Sequence, residues 1–324
     1  MSIPWKYIFG PVPSRRLGMS LGVDVIPKKI CTLDCIYCEV GKTTKKVTAR
    51  KEYVPGARVV EEIREALHRT SRIDWITFSG SGEPTLNSEL GEMLREVKSS
   101  TPIPVAVITN GTLLALEDVR RDLLEADAVL PSLDAASQEV FERIDRPHPD
   151  LRIEAIIEGM IQFRREYRGQ IWLEILFVKG INDQEDEIDR LRKAIDLIQP
   201  NKIQLNTVIR PPAESDAHPI GHDRMLEIQR ALGDRCEIIA EFKSFGKAAD
   251  VEGTEAVLAL LRRRPMTLPG IAASFGLDPD QLRRTLCDLE MNGLVERVSF
   301  EGVEYFQSGR RPRVHSRVNL QLPL

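Results

Sequence analysis

Between residues 20 and 242, short apolar stretches alternate with amphipathic ones, and this alternation leaves few architectures open. Apolar runs at 20–26, 75–78, 104–109, 128–133, 171–178, 203–209 and 237–242 have the length and composition of strands, most of them buried on both faces. Between them, 58–68, 86–97, 114–125, 137–144, 153–167, 185–198 and 222–232 read as helices. In the first of these, Val59, Val60, Ile63, Ala66 and Leu67 share a face. Asn87 or Ser88 is the expected cap of the second. Strands joined by crossovers of this size predict a parallel sheet. The 324 residues suffice for about two domains of ~150 residues. No apolar run approaches the ~18 residues that span a bilayer. The segment MSIPWKYIFGPVPSRR lacks the apolar centre of a secretory signal, so the expected compartment is the cytoplasm, with no membrane partner.

The cysteines narrow the chemistry. Cys31, Cys35 and Cys38 lie together in CTLDCIYC, spaced C-x3-C-x2-C, while Cys236 and Cys287 sit in apolar patterns and read as small core residues. An odd count argues against a disulfide framework. Three thiolates are one short of a structural zinc site or an ordinary iron–sulfur cluster, and His68, His148, His218, His222 and His315 form no ligand spacing. On a four-iron cube, three ligands leave one iron open. With Tyr37 just before the last cysteine, the segment resembles the signature of the radical S-adenosylmethionine (SAM) superfamily. The resemblance implies a 4Fe-4S cluster on Cys31, Cys35 and Cys38 with SAM chelated to the open iron. One electron then cleaves SAM to methionine and a 5′-deoxyadenosyl radical, which abstracts hydrogen from a substrate. It further implies a flavodoxin- or ferredoxin-type electron donor and an α/β fold, a partial (β/α)6 TIM-like barrel, over residues 1–246.

In such barrels function gathers at the C-terminal strand ends, and the local motifs fall there. FSGSGEPTLN follows the second strand. Its Gly80 and Gly82 let backbone approach a ligand, and with Glu83 it resembles the superfamily's GGE motif, interrupted by Ser81; it also reads as a plain turn with a surface glutamate. After the third strand Asn110 presents a polar group or simply makes an Asn-Gly turn. After the fourth, Ser132 and Asp134 alternate on one face and are candidates for the SAM carboxylate and ribose, with a helix cap as the rival role of Asp134. After the fifth, Lys179, Gly180 and Asn182 fall on the adenine side that the resemblance implies, which Tyr37 also approaches.

Substrate contacts are sought among charged residues near the same end. Asn206 and Arg210 close the sixth strand. Glu174 is a charge inside an apolar strand, either functional or paired with Arg210. Gly10, Pro11 and Pro13 read as a rigid lead-in loop, followed by Arg15 and Arg16, which suit a carboxylate or phosphate or a surface ion pair. Residues 8–246 resemble one branch of the superfamily, the generic iron–sulfur oxidoreductases similar to tRNA wybutosine-synthesising enzymes. Those enzymes carry a further N-terminal cysteine set, and no cysteine precedes Cys31 here, so the resemblance does not name a substrate.

From residue 253 the pattern becomes helix, helix, helix and a hairpin around Glu301-Gly302, resembling a winged helix-turn-helix over 253–308. Its third helix carries Arg283 and Arg284 as candidate nucleic-acid contacts, opposed by Asp280, Asp288 and Glu290. A protein partner is equally compatible with the fold. The tail 309–324 holds Arg310, Arg311, Arg313 and Arg317 without a carboxylate, although the net charge is only −4. Three functions follow: a radical SAM enzyme on an unidentified substrate, an RNA-modifying enzyme using the winged helix to hold tRNA, and an iron–sulfur-sensing regulator that binds DNA.

Overall fold

The computed structural model describes residues 5–70, 72–239 and 254–309. In chain order the strands are β1 (Ile8–Ser14), β2 (Gly18–Val23), the short pair β3 (Ile30–Cys31) and β4 (Lys45–Lys46), β5 (Trp75–Phe78), β6 (Val105–Thr109), β7 (Ala128–Pro131), β8 (Gln170–Phe177), β9 (Lys202–Thr207), β10 (Cys236–Ile238), β11 (Val295–Phe300) and β12 (Val303–Ser308). The helices are α1 (Gly56–Arg69), α2 (Leu90–Ser100), α3 (Glu117–Leu123), α4 (Gln138–Ile144), α5 (Ile153–Glu166), α6 (Glu185–Ile198), α7 (His222–Leu232), α8 (Thr254–Leu261), α9 (Leu268–Phe275) and α10 (Pro279–Met291).

The main sheet runs β1-β2-β5-β6-β7-β8-β9-β10. From β2 to β10 every neighbouring pair is parallel. The sheet stays open, giving the partial barrel of an α/β fold. Its strands are sealed on both faces: Leu21, Ile76, Phe78, Val105, Val107, Leu173 and Leu205 have no exposed surface. The helices cover it with single apolar stripes, Val59, Val60, Ile63 and Ala66 on α1 and Leu90, Met93, Leu94 and Val97 on α2.

Three local expectations shift. The lead-in expected as a loop is strand β1, antiparallel to β2 and irregular between Phe9 and Val12. An edge tolerates Pro11 and Pro13, which cannot donate to a ladder. The helix expected from residue 86 is a short 3-10 turn, Pro84–Leu86, followed by α2. Asn87 serves the junction, its Oδ1 accepting from the Glu89 N–H at 3.0 Å. The helix expected from residue 114 is α3, preceded by a turn.

After β10, helices α8, α9 and α10 and the hairpin β11–β12 form the winged helix. Thr267 caps α9 through the Gly270 N–H, and Asp278 caps α10 through the N–H groups of Asp280 and Gln281. Glu301 and Gly302 both have positive φ, as a two-residue hairpin turn demands. The apolar centre of this unit, with Ile271, Leu286 and Phe306, also encloses Val12 and contacts Phe9 of β1. Helices α8 and α9 thus pack on the edge strand of the sheet. Arg263 lies over the Phe9 ring at 4.4 Å, and the Tyr305 hydroxyl donates to the Ile209 carbonyl at 2.8 Å. Cys236 is buried in β10, as expected, whereas Cys287 is only half-buried, with Arg297 3.4 Å from its sulfur. The tail from residue 310 lies outside the described residues.

Phe78 fills the space between sheet and helices without any exposed surface. Phe78→Ala is expected to cost about 3–5 kcal/mol, read as a lower urea midpoint with an unchanged slope.

Candidate active site

The cysteine loop leaves β3 across the C-terminal end of the sheet and is clamped from both sides. On one side the Lys29 N–H donates to Ser81 O at 2.7 Å and the Glu83 N–H to Ile30 O at 3.2 Å. On the other, the N–H groups of Asp34 and Ile36 donate to the carbonyls of Asp145 and Ile144, and the His148 N–H to Thr32 O, at 2.9–3.0 Å. The loop is therefore tied down by backbone hydrogen bonds on both sides, although it is irregular beyond Cys31.

Glycine is required where FSGSGE meets this loop. A Cβ on Gly82 would lie 2.0 Å from the Ile30 carbonyl oxygen, and one on Gly80 would lie 2.3 Å from Asp24 Oδ1. Ser81 Oγ donates to Asp24 Oδ2 at 2.6 Å. Glu83 turns inward, almost fully buried. Its carboxylate accepts from the Thr85 N–H and hydroxyl, the Thr109 hydroxyl and the Asn110 N–H at 2.6–3.0 Å. Burial raises its pKa against these bonds. The Glu83 side chain thus anchors the loop.

Asn110 is the next link. Its Nδ2 donates to Thr32 Oγ1 at 2.8 Å and lies 3.5 Å from Cys31 Sγ. Lys29 Nζ lies 3.1 Å from Cys38 Sγ. Below the loop, the Tyr37 hydroxyl donates to Asp134, whose other oxygen accepts from the Leu176 N–H at 2.7 Å. Asp134 therefore does not cap α4, whose N-cap position is Ser137. Tyr37, Asn110, Ser132 and Asp134 line one cavity with Thr112, Asp145 and the apolar Leu33, Leu133 and Phe141. Lys179 stands apart from it on an exposed turn. Asn182 is fully buried and clips that turn: it donates to the carbonyls of Asp134 and Leu176 and accepts from the Val178 N–H, all at 2.8 Å.

The thiols are electrostatically crowded. Burial, with Glu83 nearby, pushes Cys31 up to about 12, and burial with Asp145 pushes Cys35 well up. Each also feels the sulfur of Cys38. Burial and Asp145 raise Asp134, and burial raises Asp145 to about 7. Cys31 and Cys35 become thiolates only beside concentrated positive charge, as iron supplies. Among the described residues no three His, Cys, Asp or Glu side chains converge on a single ion. The donor set thus suits a cluster spread over several irons better than a lone metal.

Sequence reasoning missed Thr32, Thr112 and Asp145, which meet only through the fold, and Glu39, whose position directly after Cys38 was a signal in plain view. The substrate candidates come together in two ion-paired groups. Arg16 pairs with Glu174, which accepts from Asn206 Nδ2 at 2.9 Å, and Arg15 Nη1 donates to Asn206 Oδ1 at 3.0 Å. Arg210 meets both oxygens of Glu39 at 2.7 and 2.6 Å. Glu174 is therefore the partner of Arg16 and not of Arg210.

A model of the radical SAM superfamily matches residues 25–192, just over half of the chain and all three loop cysteines. The chain belongs to the radical SAM superfamily. Members use a 4Fe-4S cluster and SAM, and this chain is a radical SAM enzyme. A model of the DprA winged helix domain matches residues 246–299. A UPF0026 protein of Methanocaldococcus jannaschii is 41% identical over 258 residues, 78% of this chain and 77% of that one. A Brachyspira hyodysenteriae protein named GTPase Obg is 38% identical over 302 residues; the match takes 92% of this chain but only 44% of that protein's length. The dual-specificity RNA methyltransferase RlmN of Nitratidesulfovibrio vulgaris is 25% identical over 198 residues, 58% of this chain and 52% of its own. A radical SAM methyltransferase from Sphaerobacter thermophilus superposes with a TM-score of 0.49 at 19% identity, over 68% of this chain and 66% of that one. Among the described residues no helix is long and apolar enough to cross a membrane.

Gly82→Ala is expected to push the Glu83 turn off the cysteine loop at about 1–3 kcal/mol. After anaerobic reconstitution it should hold less iron per chain, with far-UV circular dichroism unchanged. Wild-type iron content would show that the contact is dispensable.

Proposed function

We propose that this enzyme abstracts a hydrogen atom from a substrate held at the open end of its barrel. The observation that carries the reading is the clamped cysteine loop beside a cavity lined by Tyr37, Asn110, Ser132 and Asp134. Bound SAM and the reduced cluster supply a 5′-deoxyadenosyl radical as oxidant. Cys31, Cys35 and Cys38 would hold the cluster. Gly80 and Gly82 keep the backbone beside the loop free of side chains, and the Glu83 carboxylate fixes that backbone. Ser132 and Asp134 are assigned to the SAM carboxylate and ribose, Tyr37 and the turn at Lys179 to the adenine side. Leu33, Leu133 and Phe141 keep water from the cavity, which a radical requires. The electron comes from a flavodoxin- or ferredoxin-type donor.

RNA as the substrate is the second reading. It is favoured by the RlmN relatives and by α10, whose Arg283 and Arg284 are exposed on the docked winged helix. A DNA-binding regulator gives the cavity no role. The GTPase name of the Brachyspira relative does not transfer: Gly41-Lys42-Thr43 has Ile36 where a phosphate-binding loop needs glycine.

The reconstituted enzyme, given SAM and dithionite without air, is expected to release 5′-deoxyadenosine detectable by mass, and Cys35→Ala none. A cluster-loaded wild type that leaves SAM intact, even with cell extract as a substrate source, would overturn the reading. For RNA, the double variant R283E/R284E should weaken tRNA binding and lower the salt slope by about two charges. Unchanged binding removes α10 as the contact.

A further inference from the structure

Lysine is almost never fully buried unless it is paired, yet Lys29, two residues before the first cysteine, has only 5% of its surface exposed. Its backbone φ is 61°, in the left-handed region that costs any residue but glycine. Hydrogen bonds on both sides hold it there. The Lys29 N–H donates to Ser81 O at 2.7 Å. The Lys29 carbonyl accepts from the N–H groups of Thr44 and Lys45 at 3.0 and 3.1 Å and from the Thr44 hydroxyl at 3.1 Å. The residue is thus gripped between the FSGSGE turn and the start of β4. Its neighbours Lys28, Lys42, Lys45 and Lys46 are all exposed, so Lys29 is the lysine of this segment that turns inward.

The side chain ends on sulfur. Lys29 Nζ lies 3.1 Å from Cys38 Sγ, and among the described residues no carboxylate pairs with it. The contact needs only an N–H, which a lysine amine carries whether or not it is protonated. The three cysteines therefore stand in unlike surroundings. Cys38 faces an amine, Cys31 faces the Asn110 amide at 3.5 Å, and Cys35 is crowded by Asp145. Hydrogen bonds to ligand sulfurs are one of the means by which a protein sets the potential of an iron–sulfur cluster. A donor on sulfur favours the more negative, reduced form, and burial keeps water from competing for the same sulfur.

We infer that Lys29 donates a hydrogen bond to the iron-binding sulfur of Cys38 and thereby raises the reduction potential of the cluster. The inference rests on the ligation proposed above, in which Cys38 Sγ holds iron. The event it governs is a single electron transfer. A flavodoxin- or ferredoxin-type donor is oxidised by one electron and the cluster is reduced by one, with no bond made or broken. The added negative charge spreads over the irons and their sulfurs, and the bond from Lys29 strengthens as the charge on Cys38 grows. Lys29 touches neither SAM nor substrate and acts through Cys38. By setting how readily the electron is accepted, it sets how strong a reductant the donor has to be.

The test uses the full chain with its cluster reconstituted without air. Midpoint potentials are read by paramagnetic resonance during redox titration of wild type, Lys29→Met, Lys29→Arg and the exposed control Lys45→Met, with iron content measured for each. Methionine and arginine carry the same left-handed backbone cost as lysine, so the comparison isolates the side chain. Lys29→Met is expected to lower the ratio of reduced to oxidised cluster at a fixed potential roughly tenfold, a midpoint about 59 mV more negative for one electron. Lys29→Arg, which keeps N–H donors, should recover most of the shift, and Lys45→Met should titrate as wild type does. A wild-type midpoint in Lys29→Met overturns the inference even where less iron is held, because the lysine is then merely structural. If Lys29→Met holds no cluster, the wild type decides. With nitrogen-15 at the lysine Nζ, its reduced cluster should show a nitrogen-15 hyperfine coupling that Lys29→Arg lacks, and no coupling in wild type overturns the inference. Cys38→Ala separates the two readings. A full four-iron cluster with the wild-type midpoint in that variant sinks the ligation and the inference together; loss of the cluster there, with an unshifted Lys29→Met, sinks the inference alone. 5′-Deoxyadenosine release is measured in the same samples. A shifted potential without release sinks the proposed reaction and leaves Lys29 its role; release with an unshifted potential does the reverse.

Discussion

A buried carboxylate holds the reactive loop to the barrel. Glu83 is surrounded by four donors from two strand ends, and its own backbone N–H reaches the carbonyl before Cys31. An unpaired charge at that depth would cost several kcal/mol, whereas a saturated one strongly disfavours any arrangement that breaks its bonds. From Glu83 the path to sulfur is short: the Asn110 N–H binds the carboxylate, and the Asn110 side chain reaches Thr32 and Cys31. The ends of β5 and β6 are thereby tied to the first cysteine through hydrogen bonds with little freedom.

The winged helix depends on the same economy of edges. A parallel sheet that stops short of closure leaves an unpaired strand, and antiparallel β1 takes that place carrying two prolines. Val12 and Phe9 of β1 are then covered by the winged helix, whose centre is continuous with them. Docking on this edge gives the unit two unlike faces. Arg263 and Arg264 turn toward the barrel, while Arg283 and Arg284 remain on the exposed side of α10. One small unit therefore keeps one face on the barrel and another open to solvent.

Much of this was legible in the sequence because it is local. The cysteine spacing, the strand periodicity, the glycines of FSGSGE and the hairpin at Glu301-Gly302 each encode a short-range requirement, and Tyr37, Asn110, Ser132 and Asp134 do line one cavity. What escaped depends on distant pairing. Asp145 matters because the segment after α4 runs alongside the cysteine loop, and nothing in ERIDRPHP announces that. Arg264 looks like one of three ordinary arginines following a surface helix, until docking seals two of its nitrogens. Strand β1 was hidden by glycine and proline, which signal a loop everywhere except at a sheet edge or an irregularity. Glu174, singled out as a charge in an apolar strand, and Arg210, placed at the end of the sixth, proved to pair with Arg16 of the β1–β2 turn and with Glu39 of the cysteine loop.

Polar groups around the cavity complete one another within the protein. Tyr37, Asp134 and the Leu176 N–H satisfy one another, so the pocket needs no water to complete them. Arg264 differs: its Nε and Nη2 are sealed from solvent and meet no acceptor among the described residues. On the proposed reading the preorganised cavity serves the reagent, and groups outside it place the molecule that is attacked. On that reading binding energy gained away from the reacting atoms is what places a neutral C–H bond, which by itself offers the protein almost nothing to hold.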